Sequence, residues 1–512
     1  MQVARAQGER NPGRPERLEA VIVGTGFSGI AMGILLRKAG IDSFVILEKA
    51  SDVGGTWRDN TYPGAACDIP SHLYSFSFEP KPDWTRSYSP QREIQGYLRA
   101  CVDRHDLRRH IRFGCEVTGA AFDEAAGTWT VRVAGGEPVV ARALVLGNGA
   151  LSIPAYPAIP GLDSFQGKTF HSARWDHGYD LRGKRVAVIG TGASAIQFVP
   201  EIAPEVGRMQ VFQRTPPWVL PKPDRAMTER EKWLFRHVPG ARWLYRAFTY
   251  WTHELRAIGF VIHPRLMKQA EKLARRHLAA TVRDPALRAK LTPSYTMGCK
   301  RILMSNDYYQ TLQRDNVELV TDAIRRVTAT GIETADGVVH EVDAIVLGTG
   351  FTATDYLAPL DVAGLDGRLL NDVIRERPET YLGITVHGFP NLFLMMGPNT
   401  GLGHNSMVFM IEAQARFALQ AIEKLRADDL AYMDVELPVQ RAFNERIQAK
   451  LARSVWSSGC RSWYLKDGHN ATIWPGFTWQ YWLETRRLDP ADFRCVARKA
   501  AGAVPAREAA AA

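Results

Sequence analysis

The chain has no Cys-x-x-Cys pair. Its six cysteines, Cys67, Cys101, Cys115, Cys299, Cys460 and Cys495, are scattered through 512 residues. That excludes zinc-finger spacing and a dithiol redox centre, and no metal is expected. Reduced thiols in a cytoplasmic enzyme are the plain expectation. A run of eighteen uncharged apolar residues is also missing, which argues against a transmembrane helix. The first twenty residues contain no apolar core of a secretory signal. Residues 1–17 and 499–512 read as disordered tails. Acidic and basic residues nearly balance over most of the chain. The net charge of +10 is matched by one stretch, Arg225 to Lys290, with 15 Lys/Arg against 5 Asp/Glu. A global attraction to nucleic acid is therefore excluded as a reading of the charge.

What is present is an α/β pattern repeated. A hydrophobic content of 46% with 23% charged residues suits a globular chain long enough for two or three domains. Glu19–Gly24 reads as a buried parallel strand, followed by the turn Gly24-Thr-Gly26-Phe27-Ser28-Gly29 and a helix through Ile30, Met32, Ile34, Leu35 and Leu36. Ser43–Glu48 is a second strand ending in an acid. This is a complete strand–turn–helix–strand dinucleotide unit. Gly24 permits the turn, Gly26 admits a pyrophosphate, and Gly29 lets helix and strand approach. The helix N-terminus offers N–H donors to phosphate, and Glu48 is placed to accept from a ribose hydroxyl.

A second unit repeats the design. Lys184–Gly190 is its strand, Gly190-Thr191-Gly192-Ala193-Ser194-Ala195 its turn, and Met209–Arg214 its next strand. This strand ends in Arg214-Thr215 instead of an acid. Arginine pairs with a 2′-phosphate that a carboxylate would repel, so NADPH is expected over NADH. Two units imply two nucleotides, a flavin and a nicotinamide. Two later strands, Ala143–Gly149 and Ala344–Gly350, also end in Gly-x-Gly and resemble the crossing points between the FAD and NADPH domains of disulfide-reductase-like flavoproteins. The expected organisation is two doubly wound dinucleotide-binding domains with a helical insertion. The FAD domain comprises 18–150 and 386–498. The NADPH domain spans 151–385, with the helical, basic insertion at 225–294. Trp233, Phe235, Trp243, Tyr245, Phe248, Tyr250 and Trp251 give this insertion an aromatic stripe. It reads either as an interfacial surface or as the insertion's own packed face lined by arginine stems. The packed face is the favoured reading, and contact with a membrane surface is not favoured.

Between the two units lies Phe165-x-Gly167-x-x-x-His171-x-x-x-Trp175-Asp176. It resembles, at every fixed position, the linker fingerprint of type I Baeyer–Villiger monooxygenases. Gly54-Gly55-Thr56-Trp57, Tyr62-Pro-Gly64, Asp68 and Ser71–Phe78 are similar to a second segment of that family. With Arg214-Thr215 and Lys300-Arg301 added, the resemblance runs from about residue 18 to 490. It implies the architecture of disulfide-reductase-like flavoproteins, bound FAD and NADPH, and oxidation of a ketone to an ester or lactone by dioxygen through a flavin peroxide. It also implies roles. Arg301 is the catalytic guanidinium beside the flavin, and Asp68 the carboxylate that orients it. The cofactor-binding set includes Gly24, Gly26, Phe27, Ser28, Gly29, Glu48, Gly55, Thr56, Trp57, Asp68, Tyr74, Val117 and Asn399. It continues with Gly190, Thr191, Gly192, Ala193, Ser194, Ala195, Gln197, Arg214, Thr215 and Lys300. His171 and Trp175 belong to the linker that governs domain closure.

The reaction suits these residues. A fixed guanidinium stabilises negative charge developing on a carbonyl oxygen, and arginine remains protonated when buried. A dry pocket protects the oxidant from water. Two other readings remain: a flavin monooxygenase oxygenating mainly nitrogen or sulfur, and a flavin-carrying redox sensor without turnover. The segments around Ser462–Gly476 and Gly403-His404-Asn405-Ser406 depart from the pattern of well-known relatives, which leaves the ketone open. His404 is open between a contact to flavin or substrate and a capping or packing role. Oligomeric state is not legible.

Overall fold

The computed structural model describes residues 18–352, 357, 360–459, 464–466 and 469–498. The first sheet starts from β1 (Leu18–Val23), whose run Ala20-Val-Ile-Val23 is buried and apolar on both faces, as a parallel strand covered on both sides requires. Helix α1 (Phe27–Lys38) returns the chain to β2 (Phe44–Leu47), parallel to β1. β3 (Ile111–Arg112) extends this edge. β4 (Val117–Asp123), β5 (Thr128–Val133) and β6 (Val139–Leu146) form an antiparallel meander, and β6 pairs with β1 on its other side.

The second sheet is parallel throughout. β7 (Lys168–His171), β8 (Arg185–Ile189), β9 (Arg208–Phe212), β10 (Val317–Val320) and β11 (Ala344–Leu347) lie in the order β10-β9-β8-β11-β7. Helix α2 (Ala195–Ile202) follows β8. The expected insertion is helical, with α3 (Glu229–His237), α4 (Ala241–Glu254) and α5 (Met267–Thr281). Thr228 and Glu231 close a capping box on α3.

The chain then rejoins the first sheet. β12 (Asp361–Ala363) pairs with β4, and β13 (Leu392–Leu394) with β6. The return at Asp361 comes earlier than residue 386, because a three-residue strand is too short to leave a periodic signature. Helix α6 (Met407–Ala427) packs on α1 and ends on Asp428. The sequence Gly397-Pro-Asn-Thr-Gly401 is expected to open a helix towards the flavin, but α6 starts six residues beyond Gly401. Gly401 is engaged strand-fashion, its N–H donating to Thr472 O at 2.7 Å and its carbonyl accepting from Trp474 N at 2.9 Å. Ser406 therefore becomes the cap, its hydroxyl accepting from Val408 N. Helix α7 (Thr478–Thr485) closes the C-terminal part. Among the described residues no helix is long and apolar enough to cross a membrane.

Cys67, Cys101, Cys115 and Cys495 are free thiols. Cys299 is disulfide-bonded, contrary to the expectation of reduced thiols throughout. Pairing depends on the approach of Cα atoms in space, which scattered sequence positions do not reveal.

Candidate active site

The first glycine turn is packed to its limit on one side and open on the other. A Cβ on Gly29 would sit 1.9 Å from Gly24 O, so only glycine lets α1 approach β1 this closely. Gly24 has φ +94°, and a Cβ there would meet Gly147 O at 2.9 Å. Gly26 instead faces Gly55, whose Cα lies 3.9 Å from its notional Cβ. Two glycines thus leave a slot without side chains at the N-terminus of a helix. A pyrophosphate fits such a slot, receiving backbone N–H donors.

Glu48 lies at the end of β2 and is buried. It accepts from Thr25 N (3.0 Å), Thr25 Oγ1 (2.6 Å) and Ala50 N (2.9 Å), and pairs with Arg58 at 2.9 Å. Burial pushes its pKa up, but the Thr25 hydroxyl, the Ala50 N–H and Arg58 together hold it below the usual carboxylate range. Thr25 and Arg58 were not singled out by the sequence. Arg58 follows directly on Gly54-Gly55-Thr56-Trp57, and that adjacency was the available signal. Val117 opens β4 close by, two residues after Cys115, whose N–H donates to Glu48 O.

Gly54 N donates to Thr25 O at 3.0 Å, which docks the Gly54–Trp57 turn on the glycine loop. Ser28 is buried in the first turn of α1, and Thr56 opens the short helix Thr56–Asp59. Phe27, Trp57 and Tyr74 then meet edge to face. Ring centroids are 5.1 Å apart for Phe27–Tyr74 and 5.6 Å for Trp57–Tyr74, and Trp57 Nε1 donates to Tyr74 Oη at 3.1 Å. These rings make an apolar wall suited to an aromatic cofactor. Asn399, at φ +58°, is buried; its amide nitrogen donates to Asn470 O and Ile473 O, and its Oδ1 has no partner. A buried orphan acceptor calls for a donor from a bound group.

Arg301 and Asp68 come together from positions 233 residues apart. Arg301 Nε donates to Asp68 Oδ2 at 3.1 Å, and Nη2 donates to the same oxygen. Among the described residues nothing accepts from Nη1. The side chains keep 40% and 31% exposure, so the pair is accessible and not sealed in the core. Asp68 raises the Arg301 pKa above the usual guanidinium value against the pull of burial. Burial alone would raise Asp68, but Arg301 and then Lys222 hold it below the carboxylate range. Both groups are charged at neutral pH.

The two units are tied beside this pair. Gln197 of α2 accepts from Tyr62 Oη at 2.9 Å and donates to Ala66 O at 3.0 Å. Gly64, at φ +75°, has no room for a Cβ against Gln197 O at 2.8 Å. The loop Tyr62–Ala66, and Asp68 just beyond it, are therefore positioned by the second unit. Gln197 here ties protein to protein. A cavity of about 670 Å³ lies along this seam, lined by residues such as Tyr62, Gly64, Gln197, Lys222 and Ser305. Neither Arg301 nor Asp68 lines it, so it is the interdomain cleft and not the reacting pocket.

In the second unit a Cβ on Gly190 (φ +109°) would meet Gly348 O at 2.4 Å, whereas Gly192 has open space around it. Thr191 Oγ1 donates to Thr215 O at 3.4 Å, which holds the two turns together. Ala193 and Ser194 lead into α2 and Ala195 opens it. Burial and then the proximity of Arg214 lower the Lys300 pKa. Neither cation makes an ion pair among the described residues. Two cations facing each other without an anion fit a phosphate dianion.

His171 is buried at the end of β7, where its Nδ1 accepts from Ala173 N at 3.0 Å and its Nε2 has no hydrogen-bond partner. Its ring lies 6.0 Å from Phe351, beside the Gly348–Gly350 crossing. Trp175 packs between Phe170 (5.1 Å) and Phe198 of α2 (5.3 Å). Both lie at or just beyond the end of β7, within the second unit. His404 is fully buried. Neither ring nitrogen has a hydrogen-bond partner, Nε2 lies 3.8 Å from Glu254, and burial, with His253 and Arg256 nearby, lowers its pKa to about 3. It packs in the core and does not cap α6.

Comparison with known proteins agrees with this geometry. A family profile described as pyridine nucleotide-disulphide oxidoreductase matches residues 21–228. A Baeyer–Villiger monooxygenase of Pseudomonas aeruginosa is 52% identical over 481 residues, covering 93% of this chain and 91% of that protein. One from Streptomyces coelicolor is 46% identical over 497 residues, covering 96% and 95%. The crystal structure of OTEMO in complex with FAD and NADP superposes with a TM-score of 0.86 at 29% identity, covering 94% of this chain and all of that one. This chain belongs to the type I, flavin-dependent Baeyer–Villiger monooxygenase family.

Proposed function

We propose that Arg301, held by Asp68, is the group with which this NADPH- and dioxygen-dependent enzyme turns a ketone into an ester or lactone. The observation that carries the reading is the ionised, partly exposed Arg301–Asp68 pair, close enough to Tyr74 of the aromatic wall for both charges to act on its hydroxyl. FAD, when bound and reduced by NADPH, would supply activated dioxygen, one oxygen atom of which enters the carbon skeleton while the other leaves as water. Attack on the ketone carbonyl places negative charge on its oxygen. The Arg301 guanidinium offers Nη1–H and a full positive charge to that oxygen. Asp68 takes Nε and Nη2, which fixes the plane of the guanidinium before substrate arrives. Preorganisation of this kind avoids reorganising the charge during the reaction. Gln197, reaching from α2 to the Tyr62–Ala66 loop, acts as a positioning residue for Asp68.

Gly24, Gly26, Gly29, Gly55 and Glu48 are assigned to FAD, with Phe27, Trp57, Tyr74 and Asn399 lining the flavin. Gly190, Gly192, Arg214, Thr215 and Lys300 are assigned to NADPH. The FAD domain is assembled from 18–150 and the returning C-terminal part, and the NADPH domain carries the insertion. Four free thiols favour the cytoplasm, with the disulfide at Cys299 pointing the other way. The test is turnover of linear, cyclic, aryl and steroid ketones by the FAD-loaded protein with NADPH under heavy-isotope dioxygen. A product carrying one heavy oxygen atom in the ester or lactone supports the reading. NADPH-dependent oxygen uptake that never yields such a product with any ketone refutes it.

A further inference from the structure

The insertion is built the wrong way round for a soluble surface. On α4, Thr249, His253 and Glu254 are buried, whereas Leu244, Phe248, Trp251 and Leu255 are exposed. These four follow i, i+4, i+7, i+11, so they form one stripe along the helix. Exposure reaches 68% for Phe248 and 53% for Trp251, and 69% for Trp243 nearby. α3 adds Trp233, 59% exposed, and Leu234. The packed-face expectation holds only for Phe235, Tyr245 and Tyr250, which turn inward or half inward. Trp233, Trp243, Leu244, Phe248, Trp251 and Leu255 together expose on the order of 800 Å² of mainly apolar surface. Ordinary monomers keep their largest patch to a few hundred Å².

The hairpin is not loosely attached. Phe235 and Tyr245 pack 5.1 Å apart between the helices, both rings touch His72, and Arg236 pairs with Asp83 at 2.9 Å. The apolar face is therefore held outward by a firm base. Trp479 on α7 is also exposed, and its N–H points at Glu254 at 3.4 Å, which places it beside α4.

Charge decides what covers this face. All five acidic residues of the insertion are already engaged. Glu229 pairs with Lys232, Glu231 with Arg225, Glu254 is buried, Glu271 accepts from Met297 N, and Asp284 caps its helix. Arg230, Arg265, Lys268, Lys272 and Arg276 are exposed and make no ion pair among the described residues. On α5 and the short turn Pro264–Leu266 before it, Arg265, Lys272 and Arg276 run beside exposed Leu266 and Leu273. A second copy in an isologous dimer would bring this basic surplus against itself. Anionic lipid headgroups complement it, and tryptophan is suited to the boundary between headgroup and acyl chain. We propose that the α3–α4 hairpin and its neighbours dock the enzyme on an anionic phospholipid surface. The enzyme would lie on the bilayer without spanning it.

The test uses the FAD-loaded full chain with vesicles of phosphatidylcholine alone or with about a quarter phosphatidylglycerol, enough to give an anionic surface potential. Co-sedimentation and a blue shift of tryptophan emission are expected only with the anionic vesicles, weakening in about 0.5 M salt as screening sets in. The double variant F248S/W251S should lose about tenfold or more in partitioning while keeping NADPH oxidation in solution. Because both positions are exposed, folding should survive; the variant R230E/K272E gives a second route, lowering binding without removing apolar surface. Equal binding to neutral and anionic vesicles overturns the proposal, as does no binding or variants that bind like the parent. So does sedimentation showing a lipid-indifferent dimer that F248S/W251S breaks, since the face would then belong to a second copy.

Discussion

Replacing Arg214 and Lys300 by alanine should separate recognition of NADPH from recognition of NADH. Lys300 lies within electrostatic reach of Arg214, neither makes an ion pair among the described residues, and Lys300 is partly desolvated. A charge-assisted contact to phosphate contributes about 1.5–3 kcal/mol, and about 1.4 kcal/mol is tenfold in affinity. Arg214 is exposed and Lys300 half-buried, so screening puts each at the low end, roughly tenfold in the KM for NADPH. The double variant should fall short of the product of the singles, because the two cations share one anion and repel each other in its absence. The KM for NADH should stay within about twofold, because no 2′-phosphate is present. pH gives an independent check. Lys300 holds the phosphate only when protonated, and burial with Arg214 lowers its pKa from 10.5. The KM for NADPH should therefore rise as pH climbs through that lowered value, and the rise should vanish in Lys300→Ala. Steady-state kinetics with each nucleotide across pH provides the assay. Equal losses with NADH and NADPH, or an intact preference for NADPH in the double variant, would refute the phosphate pocket.

Gly29→Ala would drive a methyl into Gly24 O, so the purified protein should carry less FAD, read from its flavin absorbance, and unfold at lower temperature. Gln197→Ala should cost on the order of 1–3 kcal/mol of local support at the domain seam; ester formation should fall more than FAD content, and unchanged turnover would contradict its positioning role. For Glu254, burial outweighs its hydrogen bonds and raises the pKa. The fold thus favours the protonated acid, and stability should be highest below the unfolded value and decline as pH rises through the folded one. Thermal unfolding of Glu254→Gln between about pH 4 and 7 should lack that decline; the same slope as the parent would contradict it.

The glycine turns were legible because their chemistry is local: Gly24 and Gly29 sit where any Cβ collides with a neighbouring backbone. The pairing of Arg301 with Asp68 was suggested only by family resemblance, since nothing local at either position announces a partner 233 residues away. Glu48 was read as a ribose acceptor, but its oxygens are also drawn to Thr25, Ala50 and Arg58, contacts that depend on how two loops fold over each other. The aromatic stripe was visible and its direction was not. Periodicity finds a face without saying which side meets solvent, and in α4 the polar Thr249, His253 and Glu254 are the buried ones. The early return at Asp361–Ala363 left too few residues for any period.

The most direct test of the central claim compares Arg301→Ala with the parent in one reaction that offers a ketone and an organic sulfide together. Sulfide oxygenation develops no carbonyl oxyanion and does not need the guanidinium. Ester formation should fall by about 10²–10³ while sulfoxide formation and flavin content persist. Ester yield that survives the substitution, or loss of both products in step with full FAD retained, would contradict the role assigned to Arg301.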